Sequence, residues 1–280
     1  GESLADLFPG LAAEWDSERN DGLSPSDVSA SIYKRVWWQC REGLDHQWAA
    51  PIADRTKRSR GCPSCAGQKV SVTNSLATIA PDVAQEWHPN KNGSLEPSGI
   101  IAKSNKKVWW KCPKAVDHEW EVAPNGRVSQ GTGCPFCRGL RASSTNNLES
   151  LRPEVAVEWH PTKNGDLTPD QVVVGSNRRF WWKCPNGPDH EWQAYVNNRG
   201  CPMCAGRLAS TTNSVSAKFP DLVAQWHPTK NGDLIPSQVT STSHRKVWWQ
   251  CPKGPDHEWK SECRTRTGDG HGGGGYGCPF

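Results

Sequence analysis

Apolar and polar positions alternate along a short stretch near the middle of the chain. Val108, Trp110 and Cys112 are each separated by one residue, the first of which is Trp109. Side chains alternate between the two faces of a β-strand, so the pattern predicts a strand with Trp110 and Cys112 facing inward. Trp109 then faces outward. A turn follows, and a second strand that carries Trp120 completes a β-hairpin.

The same hairpin pattern occurs four times. Cys40, Cys112 and Cys184 are 72 residues apart, and Cys251 follows after 67 residues. A constant interval of this length is typical of a repeat array. We therefore divide the chain into repeats at residues 1–72, 73–144, 145–211 and 212–280. The alternation in the other repeats places Trp38, Trp182 and Trp249 inward, Trp37, Trp181 and Trp248 outward, and Trp48, Trp192 and Trp259 on the second strand.

Two short helices are predicted at the start of each repeat, before the hairpin. Leu and Ala residues three and four apart give each helix one apolar face. A proline fits the first turn of the second helix, where its missing N–H costs little; these prolines are Pro9, Pro81, Pro153 and Pro220. Asn74, Asn146 and Asn213 are predicted to cap the first helix. Tight turns are predicted next, at Asp21-Gly22, Asn92-Gly93, Asn164-Gly165 and Asn231-Gly232.

Each hairpin carries a cysteine and a histidine, and a pair of cysteines two residues apart follows it. In the second repeat these are Cys112, His118, Cys134 and Cys137. Three cysteines and one histidine form a common ligand set for tetrahedral structural zinc. The other complete sets are Cys40, His46, Cys62 and Cys65, and Cys184, His190, Cys201 and Cys204. The sequence therefore predicts three complete zinc sites.

The fourth repeat offers one ligand fewer. Its candidates are Cys251, His257 and Cys278, and the chain ends two residues later. A residue 281 would complete the set, and we expect zinc here as well. Cys263 or His271 is an alternative fourth ligand, although Cys263 is out of register and aligns with non-ligand positions such as Val196.

Composition and cysteine usage agree with metal binding. Twelve cysteines could form a disulfide scaffold, but the fixed offset of a histidine from the cysteines favours metal and implies a reducing, intracellular compartment. Hydrophobic residues make up 35% of the chain. Small repeats of this polarity bury too little surface to fold unaided, and bound metal would supply the missing stability. No long apolar run predicts a membrane helix, so we expect no membrane partner.

A second set of histidines recurs outside the hairpin, at His88, His160 and His227. They could form a second metal site. Asp16 takes this position in the first repeat and no cysteine is near in sequence, which favours packed or capping side chains.

Signals for catalysis are weak. Glu258 and Lys260 match a Glu-x-Lys pattern of some nucleases, but the other repeats lack the lysine. No phosphate-binding loop, dinucleotide motif or nucleophile elbow is present. A zinc with four protein ligands also leaves no position for a reactive water. We therefore expect no enzymatic activity.

Basic residues recur in pairs immediately before each Trp-Trp pair. The net charge is only +4, which permits nucleic-acid binding without demanding it. The basic residues could contact phosphates or form a solvated surface. The outward tryptophans could stack on bases, although packing within the protein is favoured. The candidate nucleic-acid contacts are Lys34, Arg35, Arg58, Lys106, Lys107, Arg127, Arg178, Arg179, Arg199, Arg245, Lys246, Trp37, Trp109, Trp181 and Trp248.

The motifs Trp-Trp-x-Cys, Asp-His-x-Trp, Gly-Cys-Pro-x-Cys, Asn-Ser-Leu and Glu-Trp-His-Pro-x-Lys-Asn-Gly together resemble the tandem treble-clef, or zinc-ribbon, repeat family. The resemblance covers nearly the whole chain. It implies four treble-clef zinc modules in which Cys-Pro-x-Cys begins a helix. Some members of that family resemble proteins joined to nuclease-like domains. The first repeat departs from the pattern with Asp16-Ser17 in place of His-Pro.

We therefore expect small α+β zinc-stabilised modules: a tandem array of four treble-clef zinc fingers, each with a β-hairpin, a zinc site and short helices. The leading functional hypothesis is a non-enzymatic scaffold that binds RNA or DNA through basic residues and tryptophans. One alternative is a structural, protein-binding subunit of a large assembly such as an organellar ribosome or other ribonucleoprotein. Another is a targeting module of a nuclease-containing protein.

Overall fold

A computed structural model describes residues 2–198, 200–269 and 275–280. The chain divides into two compact units, Gly1–Arg138 and Gly139–Phe280. Each unit contains two antiparallel hairpins, and every hairpin is a separate two-stranded sheet. The first unit has β1 (Arg35–Gln39) with β2 (Gln47–Pro51), and β3 (Val108–Lys111) with β4 (Glu119–Val122). The second unit has β5 (Arg179–Lys183) with β6 (Glu191–Tyr195), and β7 (Lys246–Gln250) with β8 (Glu258–Glu262).

Two four-residue helices precede each hairpin. The first helices are α1 (Leu4–Leu7), α4 (Leu76–Ile79), α7 (Leu148–Leu151) and α9 (Val215–Lys218). The second helices, which begin at the predicted prolines, are α2 (Pro9–Ala12), α5 (Pro81–Ala84), α8 (Pro153–Ala156) and α10 (Pro220–Val223). Another short helix follows three of the hairpins: α3 (Ile52–Thr56), α6 (Pro124–Val128) and α11 (Cys263–Thr267). Single 3-10 turns occur at Pro97–Gly99, Pro169–Gln171, Val196–Asn198 and Pro236–Gln238.

The strand alternation predicted from the sequence is confirmed. Trp38, Trp110, Trp182 and Trp249 are all 0% exposed. Each faces the second-strand tryptophan directly across the hairpin, as Trp110 faces Trp120. The Trp110 indole N–H also donates to the carbonyl of Val122 at 2.9 Å. Cross-strand pairs of large side chains stabilise a hairpin that would be marginal alone.

The helical segment docks on the hairpin through a further tryptophan. In the second repeat Trp87 forms an isolated antiparallel bridge with Trp110, and the two rings meet edge to face at 5.6 Å. The amide of Lys111 donates to the carbonyl of Glu86 at 2.7 Å. The other three repeats have the same bridge, between Trp15 and Trp38, Trp159 and Trp182, and Trp226 and Trp249. The core of each repeat therefore closes around two perpendicular indoles.

The predicted N-caps of the first helices are wrong by one residue. Ser75, Asn147 and Ser214 are the caps, and not Asn74, Asn146 and Asn213. The Asn74 side chain instead accepts from the amide of Ser71 at 2.8 Å and donates to the carbonyls of Ser64 and Lys69. Because Asn74 bonds the backbone of three earlier residues, among them Ser64 in the turn of the zinc site, it ties the end of one finger to the start of the next helix.

The predicted Asn-Gly turns are confirmed by positive φ values at their glycines, such as +61° at Gly93. The preceding Asn92 inserts its side chain against the hairpin. Its amide group accepts from the Trp109 amide at 2.8 Å and donates to the Trp109 carbonyl at 2.9 Å. The side chain thereby makes, at the free edge of β3, the two hydrogen bonds that a neighbouring strand would make. Among the described residues, no helix is long and apolar enough to cross a membrane.

Candidate metal centres

Each hairpin turn holds the first two ligands of one site. In the second repeat Cys112 directly follows β3 and His118 directly precedes β4. The amide of Cys112 donates to the carbonyl of His118 at 3.0 Å, which closes the turn. The register of the strands therefore fixes the thiol and the imidazole on the same side of the hairpin end.

The second pair of ligands comes from a tight turn after the hairpin. The resemblance implied that Cys-Pro-x-Cys begins a helix, and in the described residues it does not. Residues 63–67 form a turn, with the Ala66 amide donating to the Cys62 carbonyl at 3.0 Å. Gly67 then leaves that turn with a φ of +67°. This single turn of backbone brings the sulfurs of Cys62 and Cys65 into the same ligand group.

The ligand atoms have the separations that tetrahedral zinc requires. Zn–S bonds of about 2.3 Å and Zn–N bonds of about 2.05 Å at tetrahedral angles place two sulfurs ~3.8 Å apart and sulfur and nitrogen ~3.6 Å apart. The Cys112 and Cys137 sulfurs are 3.7 Å apart. Nδ1 of His118 lies 3.6 Å from the sulfurs of both Cys134 and Cys137. The first and third sites reproduce these distances at 3.5–3.6 Å.

The donor chemistry also fits a cation. Desolvation, followed by the thiols of Cys40 and Cys62, raises the pKa of Cys65 to about 12. Bound zinc reverses this tendency, because its charge holds coordinating thiols in the deprotonated form. The predicted ligand sets thus come together as three complete zinc sites, each with four side chains whose ligand atoms lie within 4.8 Å of one another.

The outer nitrogen of the zinc histidine is held by hydroxyl groups from the segment that follows the finger. Nε2 of His46 lies 2.7 Å from Oγ1 of Thr73 and 3.1 Å from Oγ of Ser71. His190 has the same contacts with Thr212 at 2.7 Å and Ser210 at 3.1 Å. If Nδ1 held the zinc, Nε2 would carry the proton and donate it to a hydroxyl oxygen, which would fix the ring orientation. Sequence reasoning missed these hydroxyls, although their Ser-x-Thr-Asn pattern recurs.

The fourth site is a three-ligand group within the described residues. Cys251, His257 and Cys278 converge, with the Cys278 sulfur 3.7 Å from Nδ1 of His257. Cys263 is not part of it: this side chain is 0% exposed in the core, at the position that Val196 takes in the third repeat. The alternative of Cys263 as a ligand is therefore wrong. His271 lies outside the described residues.

The second set of histidines caps turns, as predicted. Nδ1 of His88 accepts from the amides of Asn90 and Lys91 at 3.2 and 3.1 Å. Oδ1 of Asp16 makes the same two bonds in the first repeat, to the amides of Glu18 and Arg19. An aspartate can replace a histidine here because both present an acceptor at the same distance from the backbone.

The outward tryptophans are half-buried, and a cation covers one face of each ring. Nζ of Lys91 lies 4.6 Å from the Trp109 ring centre and 2.5 Å from a carboxylate oxygen of Glu119. The equivalent cations are Arg19 over Trp37, Lys163 over Trp181 and Lys230 over Trp248. These contacts brace the turn against the hairpin. Glu258 pairs with Lys230 and His227 in the same way, so the glutamate of the Glu-x-Lys match has a structural role.

One predicted phosphate contact is wrong. Arg127 is 7% exposed, lies against the rings of Trp110 and Trp120, and bonds Glu86 at 2.8 Å. Its guanidinium is part of the core because α6 turns it inward. Arg199 lies outside the described residues. The remaining basic candidates are exposed: Lys34, Arg35, Arg58, Lys106, Lys107, Arg178, Arg179, Arg245 and Lys246.

The fold and the ligand geometry define a tandem array of small α+β zinc modules, with three complete sites and a fourth of three ligands in the part of the chain that the structure describes. A family model described as a probable treble clef zinc finger domain matches residues 11–68, 83–140, 155–207 and 222–280. The chain belongs to this family, and the resemblance drawn from its motifs is confirmed. A comparison with curated proteins found no match.

Proposed function

We propose that this zinc-repeat scaffold binds nucleic acid through the basic pairs that precede each Trp-Trp pair. The pairs are Lys34-Arg35, Lys106-Lys107, Arg178-Arg179 and Arg245-Lys246. All eight side chains are exposed. They occupy the same place in every repeat, at the start of the first strand of the hairpin. A recurring cationic feature on a rigid support is the expected form of a phosphate-binding surface.

The observation that carries the proposal is a difference in ion pairing. Among the described residues, none of these eight basic side chains forms an ion pair, whereas nearby carboxylates of the hairpins do. Glu119, for example, is within 3.3 Å of both Lys91 and Lys111. Glu119, Glu191 and Glu258 are thus neutralised within their own repeats, while the basic pairs remain available. This asymmetry gives the surface more positive character than the net charge of +4 suggests.

The proposal assigns the zinc a structural role and the chain no catalytic step. Each complete site has four protein ligands, so the coordination sphere is closed to a substrate. The metal would instead hold the hairpin and the tight turn together, so that the basic pairs keep a fixed position. A cation covers one face of each outward tryptophan. We therefore assign these rings to holding the hairpin in place and not to contact with bases.

The test uses the zinc-loaded chain and labelled single- and double-stranded RNA and DNA at two salt concentrations. Neutralising Lys106, Lys107, Arg178 and Arg179 to Gln is expected to weaken binding at least tenfold. It should also lower the slope of log K against log salt by about 3, at roughly 0.7–0.9 per lost phosphate contact. The control neutralises four other exposed basic residues: Lys103, Lys114, Arg138 and Arg141. Equal slopes for the two variants would contradict the proposal.

Protein binding is the second candidate, and one observation favours it. Leu44 and Val116 are 94% and 82% exposed at the tips of the first two hairpins. Exposed apolar side chains at equivalent positions suit a protein contact. A stoichiometric protein partner that survives nuclease treatment, and is lost in a Leu44→Ser and Val116→Ser variant, would favour this function over the first.

A further inference from the structure

The third repeat has a groove beside its hairpin, between β6 and the tight turn of the zinc site. The groove has a volume of about 550 Å³ and is lined by Arg179, Trp181, Trp192, Tyr195 and Arg207, among others. Sites of roughly 300–1,000 Å³ accommodate small organic groups. The groove is therefore large enough for one nucleotide.

The walls of this groove are aromatic. The Tyr195 ring is 47% exposed at the end of β6, and Trp192 is 7% exposed on the same strand. The buried indole nitrogen of Trp192 has no hydrogen-bond partner among the described residues. An unpaired buried donor is uncommon and unfavourable in a folded protein. The buried Trp192 nitrogen is closed to a ligand, so the wall offers one ring for stacking, that of Tyr195.

The rim of the groove is cationic. Arg179 donates from Nη2 to the carbonyl of Gln193 at 2.8 Å, which holds its guanidinium over β6. Arg207 is exposed, and neither arginine forms an ion pair with a described residue. The lining carboxylate, Glu191, is within 3.5 Å of both Lys163 and Lys183. The groove therefore offers positive charge to a ligand with no opposing free carboxylate.

We propose that this groove binds one unpaired nucleotide, with the base against Tyr195 and the phosphate on Arg179 and Arg207. Bases within a duplex stay stacked on one another, whereas an unpaired base can turn onto an aromatic side chain. The inference deepens the proposed function and rests on it. It names single-stranded RNA or DNA as the class of ligand and the third repeat as the place of base contact.

The other repeats lack an aromatic residue at the position of Tyr195, which is Pro51 in the first repeat, Ala123 in the second and Glu262 in the fourth. The first repeat has a groove of about 430 Å³ with Arg35 at the matching position, but Pro51 replaces Tyr195 and Gln68 replaces Arg207. In the second repeat Ala123 takes the place of Tyr195, and Glu121 takes the place of Gln193. The carboxylate of Glu121 would repel a phosphate at this position. Base contact should therefore depend on the third repeat, whereas phosphate contact is shared.

The test measures binding of the zinc-loaded chain to fluorescein-labelled U12, dT12 and a 12-base-pair DNA duplex. Tyr195→Ala is expected to weaken binding of the single strands about tenfold and leave duplex binding unchanged, because stacking on one base is lost. Tyr195→Phe should restore binding to within about twofold. Arg207→Gln should weaken binding and lower the salt slope by about 0.7. Tyr33→Ala, which removes another exposed tyrosine, is the matched control.

A second measurement reports the position of the base directly. U12 containing 5-bromouridine is irradiated with the unaltered chain, and the cross-linked peptide should contain Tyr195. Comparing U12 with dU12, which differs only in the sugar, shows whether a 2′-hydroxyl contributes. Zinc content confirms that each variant is folded.

The outcomes separate the two proposals. No salt-dependent binding of any probe by the unaltered chain would overturn both. Binding that Tyr195→Ala and Tyr33→Ala affect equally, with cross-links elsewhere, would overturn the groove alone. An equal loss of single-strand and duplex binding in Tyr195→Ala would also overturn it.

Discussion

Arg127 allows a sharp test of how the core of the second repeat is held. Its guanidinium lies 4.7 Å from the Trp110 ring centre and 5.2 Å from that of Trp120. Nη2 bonds Glu86 at 2.8 Å, and the buried Nε and Nη1 have no hydrogen-bond partner among the described residues. Glu86 is thus the charge partner of a cation that is otherwise enclosed by rings. We predict that Glu86→Ala destabilises this repeat substantially.

The magnitude follows from what the substitution leaves behind. Removing one partner of a buried ion pair costs about 3–5 kcal/mol, because the other charge remains buried. Glu86 keeps 28% of its side chain exposed, so we take the lower end, about 3 kcal/mol. Glu86→Gln retains a neutral acceptor and should cost only about 1 kcal/mol. The fourth repeat provides a natural precedent, because Arg266 there bonds Gln225.

Amide hydrogen exchange of the zinc-loaded chain measures both variants. Glu86→Ala should accelerate exchange in residues 108–122 about 150-fold, and Glu86→Gln about fivefold. Residues 35–51 are an internal control, since Arg55 and Glu14 form the same pair in the first repeat at 2.8 Å. Unchanged exchange in Glu86→Ala, or equal effects of the two substitutions, would refute this account of the buried arginine.

Three other predictions concern the metal sites and the turn. Thr212→Val should lower zinc affinity at the third site about 10- to 100-fold by removing a hydroxyl from His190; chelator competition followed by native mass spectrometry checks this, with exposed Thr229→Val as control. Burial raises the pKa of the Cys263 thiol to about 11, so Cys263 should resist iodoacetamide at pH 8 until zinc is removed; rapid labelling of the loaded chain would contradict its core position. Asn92→Ala removes two bonds to the Trp109 backbone and should destabilise the second repeat by about 2 kcal/mol, measured by exchange at residues 108–111; an effect below about threefold would count against the strand-like role of Asn92.

The zinc ligands and the hairpins could be predicted from the sequence because short spacings encode both. Strand alternation depends only on which residues are neighbours, and it placed Trp110 correctly. The Cys-x5-His turn and the Cys-x2-Cys pair are likewise local features. The N-caps were wrong because Asn74 and Ser75 are both good capping residues, and their different partners decide between them. Asn74 bonds the carbonyl of Ser64, ten residues earlier.

The roles of the charged and aromatic side chains could be decided only by the tertiary structure. Arg127 and Lys107 both read as basic residues near a hairpin, yet one is enclosed between two indoles and the other is exposed. The partner of Arg127 is 41 residues away in sequence, and the hydroxyls that hold His46 are 25 and 27 residues away. The groove of the third repeat likewise forms where Arg179 of β5 meets Arg207, 28 residues later in the sequence. The sequence by itself determined the repeats, the hairpins and the metal ligands, since these follow from local periodicity and spacing. The tertiary structure decided which cations are buried, which remain exposed and where a ligand can bind. These properties depend on contacts between segments that are far apart in the sequence.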